Sequence, residues 1–392
     1  MPKMHAILSA SSSNRWIHCP GSVALSEKCP APESSPYADE GTLAHSLAEL
    51  KLKSISGELS PKTYYKETEK IKADELYSGE MDEATDFYAD NVIEAYAAAG
   101  EDAALLIEQR VDFSWWVPQG FGTSDAVVIG GRTIQVIDLK YGKGVKVDAK
   151  GNSQLRLYGL GALALFSDLY DLQKIRLTII QPRLNHVDTE EMDVKELLLW
   201  AEDEVKPRAL MAMSGTDYTA VGEWCRFCPA KAVCRKRAEY NLELARKDFK
   251  EPGLLTDDEI GEVLRRADEL KAWAADVSDY ALKSALEGRH FDGWKLVEGR
   301  SVRKYADEDK AAEALEKAGF DQAMLYDRRL KGITDMEKMV GKKKFSTILG
   351  DLIIKPAGAP KLAPESDKRP AISTTETAKA DFKDDEDAVP LN

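Results

Sequence analysis

Apolar positions along the chain change period several times, and each change predicts an element. Residues 9–27, SASSSNRWIHCPGSVALSE, begin with serines suited to cap a helix, and Cys19-Pro20 then interrupts it. Residues 41–55, GTLAHSLAELKLKSI, carry apolar residues at helical spacing behind Thr42 as the cap. Residues 60–100 read as an acidic helical segment whose Phe87, Val92, Ile93 and Tyr96 make one apolar face. The period then drops to two. Leu105 to Phe113 is a strand, and Val127–Ile129 and Thr133–Leu139 are two more, separated by Gly130-Gly131 as a hairpin signal. Asn152 or Ser153 caps a helix over Leu155 to Phe166, and 174–181, KIRLTIIQ, is a strand stopped by Pro182. A helix over 193–213 follows, and a long amphipathic one over 257–286. Beyond these come a hairpin around WKLVEGRSVRKY, a helix over 307–318 and an apolar stretch over 345–354. Residues 355–392, rich in Pro, Ala, Lys and Asp, read as a disordered tail. The order is that of an α/β protein. It divides into residues 1–250, a smaller α+β module over 251–354, and the tail.

Three polar residues stand out against the apolar hairpin. Ile134 and Val136 occupy one face of their strand and Ile137 and Leu139 the other, so the strand reads as central and buried. Charges within it must be paired or metal-bound. A two-residue turn at Gly130-Gly131 sets Asp125 opposite Val136, with Asp138 its diagonal neighbour and Lys140 on the same face. Diagonal neighbours lie ~7–8 Å apart, within reach of one Mg²⁺ ion with ligands at ~2.1 Å. Two carboxylates holding a hard cation, with an ammonium beside it, suit attack of water on a phosphoryl group. The plainer alternative is that Asp138 and Lys140 form a salt pair. Gln154 and Tyr158 are spaced i, i+4 and project from one helix face.

Asp125 in Gly-Thr-Ser-Asp, Asp138-x-Lys140 and Gln154-x-x-x-Tyr158 together resemble the PD-(D/E)XK nuclease superfamily, specifically its RecB-like exonuclease branch. The resemblance covers roughly residues 10–240. It implies a mixed central sheet flanked by helices, with His45, Asp125 and Asp138 holding Mg²⁺ or Mn²⁺. Lys140 would assist the attacking water, and Gln154 and Tyr158 would position DNA or the lysine. Gly41-x-x-x-His45-x-x-x-Glu49 is similar to the first motif of that branch, with the histidine as metal ligand and Glu49 in support. Alone, a helical histidine such as His45 is more often a hydrogen-bonded core residue. Glu108 resembles an acidic residue on the strand before the metal aspartate, and pairing with Arg110 is its bland alternative. Trp115, Trp116 and Phe121 approach Asp125, suited either to core packing or to base stacking.

Five cysteines in a chain without an apolar signal core point to metal ligation rather than disulfides. Cys225, Cys228 and Cys234 are spaced C-x₂-C-x₅-C, and Cys19 is a distant fourth. Spacing alone does not separate zinc from iron–sulfur. The arrangement resembles the [4Fe–4S] staple of RecB-like exonucleases of the AddB type, and that resemblance favours iron–sulfur. Cys29 has no such company, and His18 beside Cys19 is at most a supporting group.

Composition limits the partners. The net charge of −14 opposes tight non-specific duplex binding. Its distribution is uneven: residues 66–112 hold 14 acidic and 4 basic side chains, while 225–250 hold 8 basic and 3 acidic and 328–344 hold 7 and 2. No run approaches the ~20 apolar residues of a membrane span, so a cytoplasmic location is expected, with no membrane partner. No P-loop accompanies the motifs. The expected activity is that of a metal-dependent DNA exonuclease, acting on single strands or duplex ends. The whole chain also resembles an uncharacterised family of phages and prophages. That implies a role in DNA recombination or replication beside a single-strand annealing protein. The alternative is a non-catalytic binder of DNA ends or single strands that keeps the fold.

Overall fold

The structure is a computed structural model; it describes residues 6–30, 36–245 and 257–295, with isolated positions beyond. Two compact units divide at Arg289/His290. The hairpin, helix, basic region and apolar stretch expected after residue 295, and the tail, lie outside the described residues.

The first unit is built on a five-stranded mixed sheet. Its strands are β1 (Ala104–Asp112), β2 (Phe121–Gly130), β3 (Thr133–Leu139), β4 (Lys174–Gln181) and β5 (His186–Asp193), side by side in sequence order. All neighbours are antiparallel except β3 and β4. That parallel step needs a crossover, supplied by α6 (Ser153–Phe166), whose Asn152 side chain accepts the Leu155 N–H as N-cap. Val127, Ile129, Ile134, Val136, Ile175, Leu177 and Ile179 face α6. Ala126, Val128, Ile137, Leu139 and Ile180 face α3 (Pro36–Ile55) and α5 (Gly79–Ala98), with α4 (Pro61–Lys72) between these two in sequence. With helices on both faces, β3 is buried at Ile134 and from Val136 to Leu139, as its two-sided apolar pattern requires.

The hairpin turn falls one residue later than expected, on Gly131-Arg132, because Gly130 pairs with Thr133. Gly131 takes the positive φ (57°) that the first central residue of such a turn demands. The register therefore differs by two residues, and the face assignments survive because side chains alternate with period two. Asp125 comes into line with Asp138 itself rather than Val136. The 193–213 helix is one helical run in three parts, α7 (Val194–Trp200), a π-helical turn (Ala201–Val205) and α8 (Lys206–Met213). Thr42 is not a cap. It lies inside α3, and its hydroxyl donates to the Ala38 carbonyl.

At the N-terminus, α1 (Ser13–His18) and α2 (Ser22–Glu27) are separated by Cys19-Pro20, as the proline dictates. After the cysteine segment, α9 (Arg235–Ala245) packs on α10 (Asp257–Leu286). The 250/251 boundary read from the sequence thus falls between two helices of one unit. Arg237, only 2% exposed, joins them: Nε donates to Glu269 Oε1 at 2.6 Å and Nη1 to Asp276 Oδ2 at 2.7 Å. Removing one member of a buried ion pair strands the others, at a cost of roughly 3–5 kcal/mol. Arg237→Met is expected to lower the unfolding free energy from urea denaturation by about that much, and with it the midpoint, and Glu269→Gln with Asp276→Asn to restore part of it. An unchanged midpoint in Arg237→Met would contradict this role for the ion pairs.

Candidate functional site

The polar side chains meet where the β2–β3 ladder ends. The last paired residues are Ala126 and Ile137. One position further, the Leu139 N–H donates to Asp125 Oδ2 at 2.7 Å instead of to a backbone carbonyl. A side chain closes the ladder, and the two strands part there. Across the other edge of β2, Glu108 stands level with Asp125, but the pairing skips it between Ile107 and Gln109. Its φ of 49° is rare for a residue with a side chain. Such backbone persists only where the surroundings hold it, and it collects at functional sites. Three acidic residues, Glu108, Asp125 and Asp138, thus occupy one row across three adjacent strands.

Helix α3 lays His45 over this row, with Nδ1 3.1 Å from Asp125 Oδ1. His45, Glu108 and Asp125 each offer a ligand atom, all within 4.8 Å of one another. Ala48, Glu49 and Leu52 of α3, Tyr88 of α5 and Leu139 line the same small cleft. Glu49 is turned to Lys53, its partner at 2.6 Å.

Asp138 lies next to that triplet and is 3% exposed. Its Oδ1 accepts from Gln154 Nε2 at 3.2 Å. Its Oδ2 is 2.6 Å from Lys140 Nζ, yet it is buried and accepts no hydrogen bond of good geometry. The contact is one of charge, and the oxygen keeps acceptor capacity. Lys140 Nζ instead donates to Gln154 Oε1 at 3.0 Å, and Gln154 Nε2 also reaches the Tyr158 hydroxyl at 3.3 Å. Gln154 therefore ties Asp138, Lys140 and Tyr158 into one network.

Burial pushes the Asp138 carboxyl above its usual range; Lys140 pulls it down and Asp125 pushes it up, with a net rise. Burial lowers the His45 imidazole, but the charge and hydrogen bond of Asp125 outweigh it and the net shift is upward. Burial, then Asp138, raises Tyr158. The Tyr88 hydroxyl is fully buried without a hydrogen-bond partner, and burial with the charges of Asp125, Asp138 and Glu108 raises it well above normal. Within the group, three carboxylates face one ammonium. The imidazole of His45 completes the cluster. Carboxylate oxygens are the donors of Mg²⁺ or Mn²⁺ sites, and an imidazole beside them is a common ligand of transition metals.

The sequence places Glu108 at the margin and Asp138 at the centre. The structure puts Glu108 within the ligand triplet, with Asp138 next to it. Nothing in the sequence marks Tyr88, which reads as one more residue of an amphipathic helix. Trp116 is buried, with Nε1 donating to Glu202, while Trp115 is 75% exposed. A second set, Asp148, His186 and Asp188, also lies within 4.8 Å. It is already engaged: His186 Nε2 meets the Val147 carbonyl at 3.0 Å, and Asp188 accepts the Ala149 N–H at 2.7 Å.

The cysteines gather at a separate place. The Gly21 N–H donates to the Tyr218 carbonyl at 2.8 Å, the Ala220 N–H to Cys19 Sγ at 3.4 Å, and His18 stacks on Trp224 at 4.4 Å. Cys19, Cys225 and Cys228 are buried, and Cys234 is partly so. Burial raises the Cys19 thiol; the Ala220 N–H opposes it and Cys228 and Cys234 add to it. Burial likewise raises Cys225. Among the described residues no cysteine belongs to a ligand set within 4.8 Å. Tetrahedral zinc, with Zn–S of ~2.3 Å, draws sulfurs closer than that. Cys29, whose thiol donates to the Leu25 carbonyl, is close enough to Cys228 to be influenced by it.

A family described as "Protein of unknown function (DUF2800)" matches residues 5–370, and the chain belongs to it. A solved structure described as the crystal structure of SSO0001 is 17% identical, with 55% of this chain and 95% of that one covered, at a TM-score of 0.20. A likeness at that score carries nothing about fold or function. Among the described residues no helix is long and apolar enough to cross a membrane.

Manganese titration is expected to raise the melting temperature of the wild type, by the equivalent of about 2.7 kcal/mol at a hundredfold excess over Kd. Asp125→Ala should abolish that shift and Asp188→Ala preserve it. The reverse pattern, followed by differential scanning fluorimetry, would move the metal to the second set.

Proposed function

We propose that this chain is a divalent-metal-dependent deoxyribonuclease of the PD-(D/E)XK type, in its RecB-like branch, acting at DNA ends. The observation that carries the reading is the row Glu108–Asp125–Asp138, capped by His45 and backed by Lys140, Gln154 and Tyr158. A salt pair alone would need neither the imidazole nor the left-handed Glu108 nor the excess of carboxylate. His45, Glu108, Asp125 and the Oδ2 of Asp138 would hold the ion. A bound Mg²⁺ or Mn²⁺ supplies a Lewis acid for a phosphoryl oxygen and a water of lowered pKa.

The protein's own share is orientation and charge. Gln154 Oε1 fixes the Lys140 ammonium, which can turn a further N–H toward the attacking water or a phosphoryl oxygen. Tyr158, its pKa raised, stays protonated and holds Gln154 in place. In the hydrolysis, the water oxygen bonds to phosphorus, the bond from phosphorus to the leaving sugar oxygen breaks, and that oxygen ends protonated.

Cys19, Cys225, Cys228 and Cys234 would hold a [4Fe–4S] cluster. Supporting this are the convergence of the four cysteines, near enough to act on one another's thiols, and the N–H directed at Cys19. The cluster would fasten the N-terminal helices to the segment after α8, far from the acidic row in sequence, and so act as a structural staple. A role in phage DNA recombination beside a single-strand annealing protein belongs to the same reading, by fold-level analogy.

The test is hydrolysis of end-labelled single- and double-stranded DNA with Mn²⁺. Asp138→Ala and Lys140→Ala are each expected to lower the rate by roughly 10²-fold or more; rates equal to the wild type in both would reject the reading. Anaerobically purified protein should be brown and lose its colour in Cys225→Ser. A colourless protein with one bound zinc would reject the cluster.

A further inference from the structure

The loop between β3 and α6 begins directly after Lys140, and it is strongly charged. Residues 140–151, KYGKGVKVDAKG, hold four lysines against one aspartate, a local charge of +3 in a chain of −14. Lys143, Lys146 and Lys150 are exposed. Their ion pairs are slight: Lys146 lies 2.7 Å from Asp148 and Lys143 3.8 Å from Glu80, all four exposed. Exposed pairs of this kind contribute ~0–1 kcal/mol, so they leave the ammonium groups available.

The backbone of the loop is held from one side by a single residue. Gln181, 1% exposed at the end of β4, spends its whole amide on it. Nε2 donates to the carbonyls of Gly142 and Val145, and Oε1 accepts the Val147 N–H. In a planar trans peptide the carbonyl and the following N–H point in opposite directions. With the Gly142 and Val145 carbonyls drawn inward, the N–H groups of Lys143 and Lys146 point outward. Among the described residues none of the amides from Gly142 to Lys146 donates to a protein acceptor. Beneath the loop, Tyr141 is buried under the Arg183 guanidinium at 4.6 Å, and Arg183 is paired to Glu40 and Glu80. The base is held by hydrogen bonds and packing, and the rim is exposed.

Two glycines complete the picture. A Cβ on Gly142 or Gly144 would meet nothing within 4 Å, and neither has a positive φ. Neither packing nor backbone conformation inside the protein calls for glycine there. What a missing side chain still provides is close approach of an outside group to the backbone. Outward N–H groups, ammonium groups and bare backbone together are what phosphate-binding loops present. The loop also sits at the carboxyl ends of the parallel strands β3 and β4, where α/β sheets place ligands.

We propose that Gly142–Lys146 is a phosphate-binding loop. It grips the phosphodiester backbone of a nucleic-acid strand through the N–H and ammonium groups of Lys143 and Lys146. The inference rests on the nuclease reading for its choice of ligand, and its test does not depend on cleavage. The probe is a fluorescein-labelled 20-nucleotide thymidine oligonucleotide, titrated in EDTA over a range of NaCl concentrations. Each phosphate contact on a single strand adds about 0.7 to the slope of log K against log salt. Lys143→Ala/Lys146→Ala is expected to weaken binding at least tenfold at low salt and to flatten the slope by about 1.4. Gly144→Val keeps every charge and should weaken binding several-fold through bulk alone. These positions are exposed, and unchanged melting temperatures would confirm intact folding. No binding by the wild type, or equal affinity and slope in both variants, would overturn the proposal. Loop-dependent binding without manganese-dependent cleavage would uphold the loop and reject the nuclease. Cleavage abolished by Asp138→Ala, with binding indifferent to both loop variants, would do the opposite.

Discussion

One hydrogen bond governs the candidate site: the Leu139 amide donating to the Asp125 carboxylate. In an ordinary ladder that amide would donate to a β2 carbonyl, and the Asp125 carboxylate would lose this partner on a buried sheet. Burying such charges unpaired costs far more than a protein's marginal stability allows. By closing the ladder with a side chain, the strands separate at the one row where three carboxylates lie level. His45 enters from α3, and Lys140 with Gln154 from the α6 side. The convergence of carboxylates and an imidazole on one row is the physical reason to expect a cation.

The helices and the loop serve that row. Asn152 caps α6 and so sets the height at which Gln154 and Tyr158 meet Asp138. Before the cap, the loop is clasped by alternate residues of β5: His186 meets the Val147 carbonyl, Asp188 the Ala149 N–H and Glu190 the Gly151 N–H. The second His–Asp set is thus explained as a clamp on the loop. β5 has its polar residues facing inward because what they cover is backbone, not core.

That inversion is why β5 could not be read from the sequence. HVDTEEMD has apolar residues only at Val187 and Met192, and an edge strand with a polar inner face lacks the alternation that betrays strands. The central strands were legible for the opposite reason, being apolar on both faces. Their turn was misplaced by one residue, an error that period-two alternation forgives. The i, i+4 pair Gln154 and Tyr158 was legible because helix geometry alone puts both on one face. Glu108 was underrated because its weight comes from a backbone conformation that no residue type announces. Gln181 left a faint trace, a lone amide ending an apolar strand beside the D-x-K strand. Tyr88 and Arg237 left none, since burial of a polar group is a property of its neighbours.

The central claim is that the acidic row binds a divalent cation, and diffraction tests it most directly. Crystals soaked in MnCl₂, measured above and below the manganese absorption edge, should give a strong anomalous peak bonded to His45, Glu108 and Asp125, with Asp138 in or next to its coordination sphere. A map with no peak at that row, or with manganese only at Asp148, His186 and Asp188, would contradict the account.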